Sequence, residues 1–345
     1  MRVLWIGVLL LALAVPASAA ELTAPPVPDA GQNWMPQDTG SFDGGLSQLL
    51  DKLLGEIRPD LKEAASVCLG VTAAVMVVSV VGTFPGMGAR TLELGGCAAI
   101  VSILLGHTNS MIHLASETVR TLSDYGKLLL PVMTTALAAQ GGLTSSGALY
   151  AGTAIFDAVL SSLISGLLVP GVSVFLALAA ASAAAGEETL RRCRDLVKFV
   201  ISWCLKTLLM VFTTYMSITG VVSGTTDAAA LKATKVTIST VVPVVGGILS
   251  DASEAVLVSG ELVKNAAGIY GILAILAVFL EPFLRIAIHY LVWKATAALC
   301  GIFGSKTATT LIEDFSAAMG LLLAMTGASC LLLLISCICF MKGMG

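Results

Sequence analysis

Ionisable residues inside apolar stretches are the places where this sequence could carry chemistry. Asp157 lies in the middle of one apolar stretch, and Lys206 lies within another. Glu281, Arg285 and His289 are spaced i, i+4 and i+8, so one helix would place them on a single face. Because burying charge in lipid is expensive, such residues mark a polar path, an ion-coupling site or an ion pair inside a helical bundle.

The position of each group decides between these interpretations. Glu281, Arg285 and His289 lie at the end of an apolar stretch, which favours an ion pair or side chains that reach the membrane interface. For Asp157 the structural and the functional interpretation both remain open. A pairing between Asp157 and Lys206 would satisfy both charges, and it is a hypothesis that the spacing neither supports nor opposes.

A semi-polar segment, residues 222–265, is the other region of interest. Two glycines that would give a flexible turn precede an acidic residue, which suits the start of a helix. The segment is either an amphipathic interfacial or re-entrant hairpin, or an element that docks a partner or lines a pore. Its candidate residues are Pro243, Gly246, Gly247, Asp251, Lys264 and Asn265.

Common catalytic and cofactor motifs are missing from the sequence. It contains neither a P-loop nor an HExxH zinc motif. His107 and His113 are six residues apart, the wrong spacing for ligands on one helical face, and are predicted to cap or line a helix end. The 8 cysteines include no CxxC pair and are interpreted as packing residues. The chain is therefore predicted not to be an enzyme and to use no cofactor or metal.

The composition indicates that lipid is the solvent of this chain. Hydrophobic residues make up 57% of the 345 residues and charged residues 12%, and the mean hydropathy is +0.93. Soluble domains carry about 25% charged residues. The net charge of −3 comes with no basic tract, so nucleic acid is excluded as a partner. An all-α polytopic membrane protein is predicted, and its 34 glycines suit close helix packing in lipid.

The first 63 residues are expected to lie outside the cytoplasm. Residues 1–19 have the layout of a cleaved signal peptide, with Arg2, an apolar core and an Ala-Ser-Ala end. The alternative is an uncleaved anchor helix. Residues 20–63 form a polar lead-in with an amphipathic helix at Leu46–Ile57, which Pro59 is predicted to end.

The rest of the chain is predicted to contain about seven transmembrane helices, plus or minus one. Residues 64–221 form a first bundle of about six spans, and residues 266–345 hold the C-terminal spans, with the amphipathic extracytoplasmic segment between them. Pro170 and Gly171 divide one region into either a tight hairpin or one broken helix. The basic residues Arg191, Arg192, Arg194 and Lys198 indicate a cytoplasmic loop.

The segment around residues 223–285 resembles the stage III sporulation protein AE family. The resemblance runs from Ser223-Gly224 through Asp227, Lys232 and Lys235 to the Pro-Val-Val-Gly-Gly run at 243–247. It continues through Leu249-Ser250-Asp251-Ala252, Lys264-Asn265-Ala266, Gly268 and Gly271. The overall plan of signal peptide, polar lead-in, spans, this segment and further spans is also similar.

This resemblance implies a function in endospore formation. Such a protein would be an integral, multi-pass component of the secretion-like channel complex that links mother cell and forespore, in the mother-cell membrane surrounding the forespore. The complex supports forespore development and late gene expression. The implied partners are other membrane proteins of the same sporulation operon and a cytoplasmic ATPase, and formation of a homo-oligomer stays open. The alternative is a stand-alone secondary transporter with Asp157 as its intramembrane coupling residue.

Overall fold

Every element in the described part of the chain is helical. The computed structural model describes residues 24–37, 39–84, 88–139, 143–241, 246–303 and 306–342, with side chains except at 89, 143–145, 220–265 and 303. The predicted signal peptide, residues 1–19, lies outside these residues. The helices are α1 (Asp29–Gln32), α2 (Phe42–Val81), α3 (Ala89–Ala139), α4 (Leu143–Leu163), α5 (Val169–Ala185), α6 (Glu188–Val241), α7 (Gly246–Phe303) and α8 (Lys306–Lys342).

The amphipathic helix predicted at Leu46–Ile57 is the first part of α2, and the prediction that Pro59 ends it is wrong. Ser41 caps α2 by accepting a hydrogen bond from the backbone N–H of Gly44, and the helix then continues through Pro59 to Val81. Buried residues lie on both sides of the proline, so packing against α3 and α7 offsets the backbone hydrogen bond that proline cannot make. The predicted boundary between residues 63 and 64 therefore falls inside one helix.

Pro170 does not reverse the chain either, so the broken-helix alternative describes the structure and the hairpin does not. A π-helical turn, Ile164–Leu168, joins α4 to α5, and Pro170 lies in the first turn of α5, where a missing N–H is tolerated. The real reversal occurs at Gly186, which has a φ of 69° and ends α5 in the left-handed conformation that glycine adopts freely.

Six stretches of the described residues are long and apolar enough to cross a membrane, which confirms an all-α polytopic fold. This number is at the lower edge of the predicted span count. The stretches are Phe42–Val81, Arg90–Ala139, Ser146–Ala185, Glu188–Thr219, Ala266–Ile302 and Lys306–Lys342. The count falls below seven because α3 joins two predicted spans and their polar connector in 51 continuous residues, and because α4 and α5 act as one span.

α8 is the central helix of the bundle. It packs against α3, α4, α5, α6 and α7. In its most apolar stretch of 18 residues, 61% of the residues are buried, compared with 17% in the corresponding stretch of α6. α4 and α5 form one continuous span, and the connections between the other long helices are short, so successive spans run antiparallel. α2 and α3 pack beside α7, and this contact positions the polar residues described next.

A polar cluster between three helices as the candidate functional site

Ionisable side chains from α2, α3 and α7 meet in one place, which we call the three-helix cluster: Asp60, Glu63, His107, Arg285 and His289. Arg285 lies between the two acids, with its Nε 3.5 Å from Asp60 Oδ1 and its Nη2 3.3 Å from Glu63 Oε2. The other carboxylate oxygen of Glu63 lies 3.6 Å from His107 Nδ1. These contacts join α2 to both neighbouring helices through charged groups.

His289 is the most deeply buried member of the cluster, with 0% of its surface exposed. Its Nδ1 lies 2.9 Å from the backbone oxygen of Arg285. A carbonyl oxygen only accepts hydrogen bonds, so Nδ1 carries the proton and Nε2 of the neutral ring has a free lone pair. Nε2 has no hydrogen-bond partner among the described residues. The ring also packs edge-on against Trp293, at 5.8 Å between centroids, which restrains its orientation.

The helical spacing of Glu281, Arg285 and His289 accounts for two of the five members of this cluster, Arg285 and His289. All three lie in α7, whose interior contains Pro282, and Glu281 interacts electrostatically with Arg285. The sequence-based analysis missed Asp60, Glu63 and His107, because their partners lie on other helices. His107 lies inside α3 and not at a helix end, contrary to the prediction. The i, i+3 spacing of Asp60 and Glu63 beside the first apolar span was the available signal.

The predicted pairing of Asp157 with Lys206 is wrong. Asp157 is 5% exposed and accepts a hydrogen bond of 2.7 Å from Ser123 Oγ, which lies on α3. Lys206 is exposed on α6, and none of the ion pairs between described side chains joins the two residues. Asp157 faces the bundle interior and Lys206 its outside, so their positions in apolar spans have different causes.

A buried ion pair, absent from the sequence-based candidates, joins α6 to α8. Arg194 Nη1 lies 2.5 Å from Asp314 Oδ2, and both side chains are nearly covered, at 9% and 12% exposure. Asp195 accepts two further hydrogen bonds from Arg194, at 3.0 and 2.9 Å. The basic stretch predicted as a loop is the first part of α6, and one of its arginines points into the bundle.

The other predicted site residues belong to the segment 222–265. Pro243 lies outside the described residues. Gly246 and Gly247 begin α7, and Asp251, Lys264 and Asn265 lie in the same helix, but their side chains are not among those described. The predictions for these residues therefore stay predictions.

A cavity of about 540 Å³ lies between α3, α5 and α8. Its lining is mostly aliphatic, and none of the described lining residues is charged. The polar groups in it are Thr108, Asn109 and Ser173. Asp157 does not line this cavity, so the buried carboxylate and the cavity are separate features.

Among the described residues, one group of side chains has the composition and proximity that a metal ion requires. Glu63, His107 and His289 each offer one ligand atom, and these atoms all lie within 4.8 Å of one another. The described cysteines are free and provide no comparable group.

The described part of the chain contains six membrane-length helices with ion pairs between them, which defines the protein as a polytopic helical integral membrane protein. The family described as stage III sporulation protein AE matches residues 36–345, which is most of the chain. The chain belongs to this family, as the segment around residues 223–285 predicted. It therefore has a role in sporulation.

A curated relative supports the same assignment at low identity. The chain is 21% identical over 217 residues to a Bacillus subtilis (strain 168) protein named stage III sporulation protein AE. The match covers 63% of this chain and 54% of that relative, so the chain spans about half the length of the curated relative it matches. No solved structure matches the chain.

Proposed function

We propose that this protein is a non-enzymatic integral membrane component of the complex that links mother cell and forespore. In this proposal it resides in the mother-cell membrane surrounding the forespore and supports forespore development and late gene expression. Family membership supports the sporulation role. The observation that supports a linking role is the length of the helices relative to a membrane.

α3 is too long to be contained in a bilayer. Its 51 residues extend about 77 Å, at 1.5 Å per residue. A bilayer is about 40–45 Å thick with its headgroups. Even at a tilt of about 40°, the upper end of the usual range, α3 would extend about 59 Å along the membrane normal. One end of α3 therefore projects into water, where it is available to other proteins.

The charge distribution indicates which end projects and on which side. The C-terminal ends of α2, α5 and α7 share one end of the bundle, because successive spans are antiparallel. Arg90, Arg191, Arg192 and Lys306 lie there, which supports a cytoplasmic location for this end. The C-terminal half of α3, from Ser116 onward, then points out of the cytoplasm. In an engulfed cell this is the space between the two membranes.

This orientation assigns the proposed partners to two ends of the molecule. Membrane proteins of the same sporulation operon would contact the projecting end, and the cytoplasmic ATPase would be reached from the basic end. Phe199, Trp203 and Met210 give α6 an exposed apolar side, which suits contact with membrane lipid. Further copies of the chain could cover the same side in a homo-oligomer.

The test is deletion of the gene in its host, with complementation by the wild-type chain. Normal vegetative growth together with loss of heat-resistant spores is expected, and normal spore formation would refute the proposal. Single cysteines placed in the Gly186 turn and near residue 140 then test the orientation. Before engulfment is complete, a membrane-impermeant thiol reagent should label the cysteine near residue 140 and leave the cysteine in the Gly186 turn unlabelled, and the reverse pattern would refute the orientation.

A secondary transporter is the second candidate, because of one specific observation. Asp157 is a buried carboxylate seven residues before the π-helical turn at Ile164–Leu168, and π turns are frequent at functional sites. Asp157→Asn retains an oxygen that can accept the hydrogen bond from Ser123. A linking component carrying this variant should still complement the deletion, whereas a carboxylate-coupled transporter should fail although the protein is present at its normal level.

A further inference from the structure

We propose that Glu63, His107 and His289 form a binding site for a divalent transition metal ion of the zinc type, which ties α2, α3 and α7 together. Two imidazoles and one carboxylate are a ligand set found in zinc sites, with a fourth position left for water. The three residues come from three helices, so one ion would connect all of them.

The hydrogen bonding of His289 is the observation that points to a ligand. A metal-ligating histidine almost always donates its second ring N–H to a carbonyl or carboxylate, which fixes its tautomer and orientation. His289 has this arrangement, because Nδ1 donates to the carbonyl of Arg285 at 2.9 Å. Nε2 is left buried and without a partner among the described residues, and an unsatisfied buried polar atom is costly. A metal ion would satisfy it.

The distances require only small side-chain adjustments. Zinc bonds to nitrogen and oxygen of about 2.0–2.1 Å separate tetrahedral ligand atoms by about 3.3 Å. Glu63 Oε1 and His107 Nδ1 are already 3.6 Å apart, and all three ligand atoms lie within 4.8 Å of one another. The side chains of Glu63 and His107 are 40% and 36% exposed, so both have room to rotate toward a shared ion.

The surrounding charges suit a divalent cation. Arg285 is positive, but its Nη2 binds Glu63 Oε2 and leaves Oε1 on the side of His107. Asp60 forms an ion pair with Arg285, and Glu281 interacts with Arg285 electrostatically. Together with Glu63, three acidic residues therefore lie near the site and only one arginine. With neutral histidines the local charge is negative, and a divalent ion would balance it.

A simple ion pair between His107 and Glu63 is the competing explanation. It accounts for the 3.6 Å contact between them, but it gives His289 Nε2 no partner. A metal ion accounts for both observations with one ligand. The two explanations therefore differ in what happens when His289 or His107 is replaced.

The experiment measures zinc bound to the full chain purified in detergent. The protein is stripped with a chelator, reloaded with Zn²⁺, passed through a desalting column and analysed for zinc per chain. His107→Ala and His289→Gln remove ligands, and His107 is exposed enough that its variant should fold. The matched control is His113→Ala, which changes an exposed histidine on the same helix, paired only with Glu117 among the described residues.

We expect one zinc per chain in the wild type and in His113→Ala. Zinc binding should be weakened by at least about 100-fold in His107→Ala and His289→Gln, because loss of an outer-shell partner alone costs 10–100-fold. Reloading with Co²⁺ should give the visible absorption of a four-coordinate site with nitrogen and oxygen ligands. Three results would each overturn the proposal. They are wild-type protein that binds no zinc, ligand variants that bind zinc as tightly as the wild type, and a thiolate-to-cobalt absorption band.

Discussion

Removing the charge of Asp314 tests whether the Arg194–Asp314 pair holds α6 to α8. The pair is 2.5 Å long between Nη1 and Oδ2, and both side chains are nearly covered. Asp314→Asn keeps the size of the side chain but leaves the guanidinium of Arg194 buried with Asp195 as its remaining acidic partner. Asp195 is 64% exposed, so solvent weakens its contribution.

The expected loss of unfolding free energy is about 3 kcal/mol. Breaking a buried ion pair by removing one partner costs about 3–5 kcal/mol, because the other charge stays buried without compensation. The value falls at the lower end here, since Asp195 still accepts two hydrogen bonds from Arg194. Replacing both partners by apolar residues, as in Arg194→Met with Asp314→Leu, should recover most of the loss.

The assay is equilibrium unfolding of the full chain in mixed micelles, followed by circular dichroism. Glu313→Gln is the matched control, because Glu313 is the exposed neighbour of Asp314 on the same helix. This control should change the unfolding free energy by less than about 0.5 kcal/mol. Equal losses in Asp314→Asn and Glu313→Gln would refute the reasoning, and so would a double variant no more stable than Asp314→Asn.

Three further substitutions test other contacts in the same assay. Gly152→Ala should lower the unfolding free energy by about 1–3 kcal/mol, because the added Cβ would lie 2.1 Å from Cε1 of Tyr215 and the ring would have to move. An unchanged unfolding free energy would contradict this packing. Thr153→Val removes the hydrogen bond of 2.9 Å that Thr153 donates to Ser336, so a loss of about 1 kcal/mol is expected, and a gain would oppose it. Lys206→Leu should change stability by less than about 0.5 kcal/mol, because Lys206 faces outward; a larger loss would mean that it has a partner.

The existence of the helices followed from local pattern, but their ends did not. Apolar stretches of membrane length predicted the spans, and all of the spans in the described residues are helices. Pro59 and Pro170 were the strongest signals for a helix end and for a break. Pro59 does not end its helix because α3 and α7 pack along the chain before and after it, and this packing outweighs one lost hydrogen bond. Pro170 does not reverse the chain because it lies in the first turn of α5, where a missing N–H is tolerated.

The candidate site was predictable only where its members share a helix. Arg285 and His289 are four residues apart, so periodicity places them on one face of α7. Glu63 and His107 are 44 positions apart in the sequence, and no local pattern relates them. The pairing of Asp157 with Lys206 failed for the same reason, because a charge in an apolar span does not reveal which face of its helix it occupies.

Composition and periodicity by themselves determined that this chain is a helical membrane protein, and the pattern around residues 223–285 determined its family. Both follow from short-range properties, since one helix needs only its own residues to satisfy its backbone in lipid. The tertiary structure decided which charges meet: Arg285 with Asp60 and Glu63, and Arg194 with Asp314. Those contacts depend on the rotation and depth of each helix, which are set by packing against its neighbours.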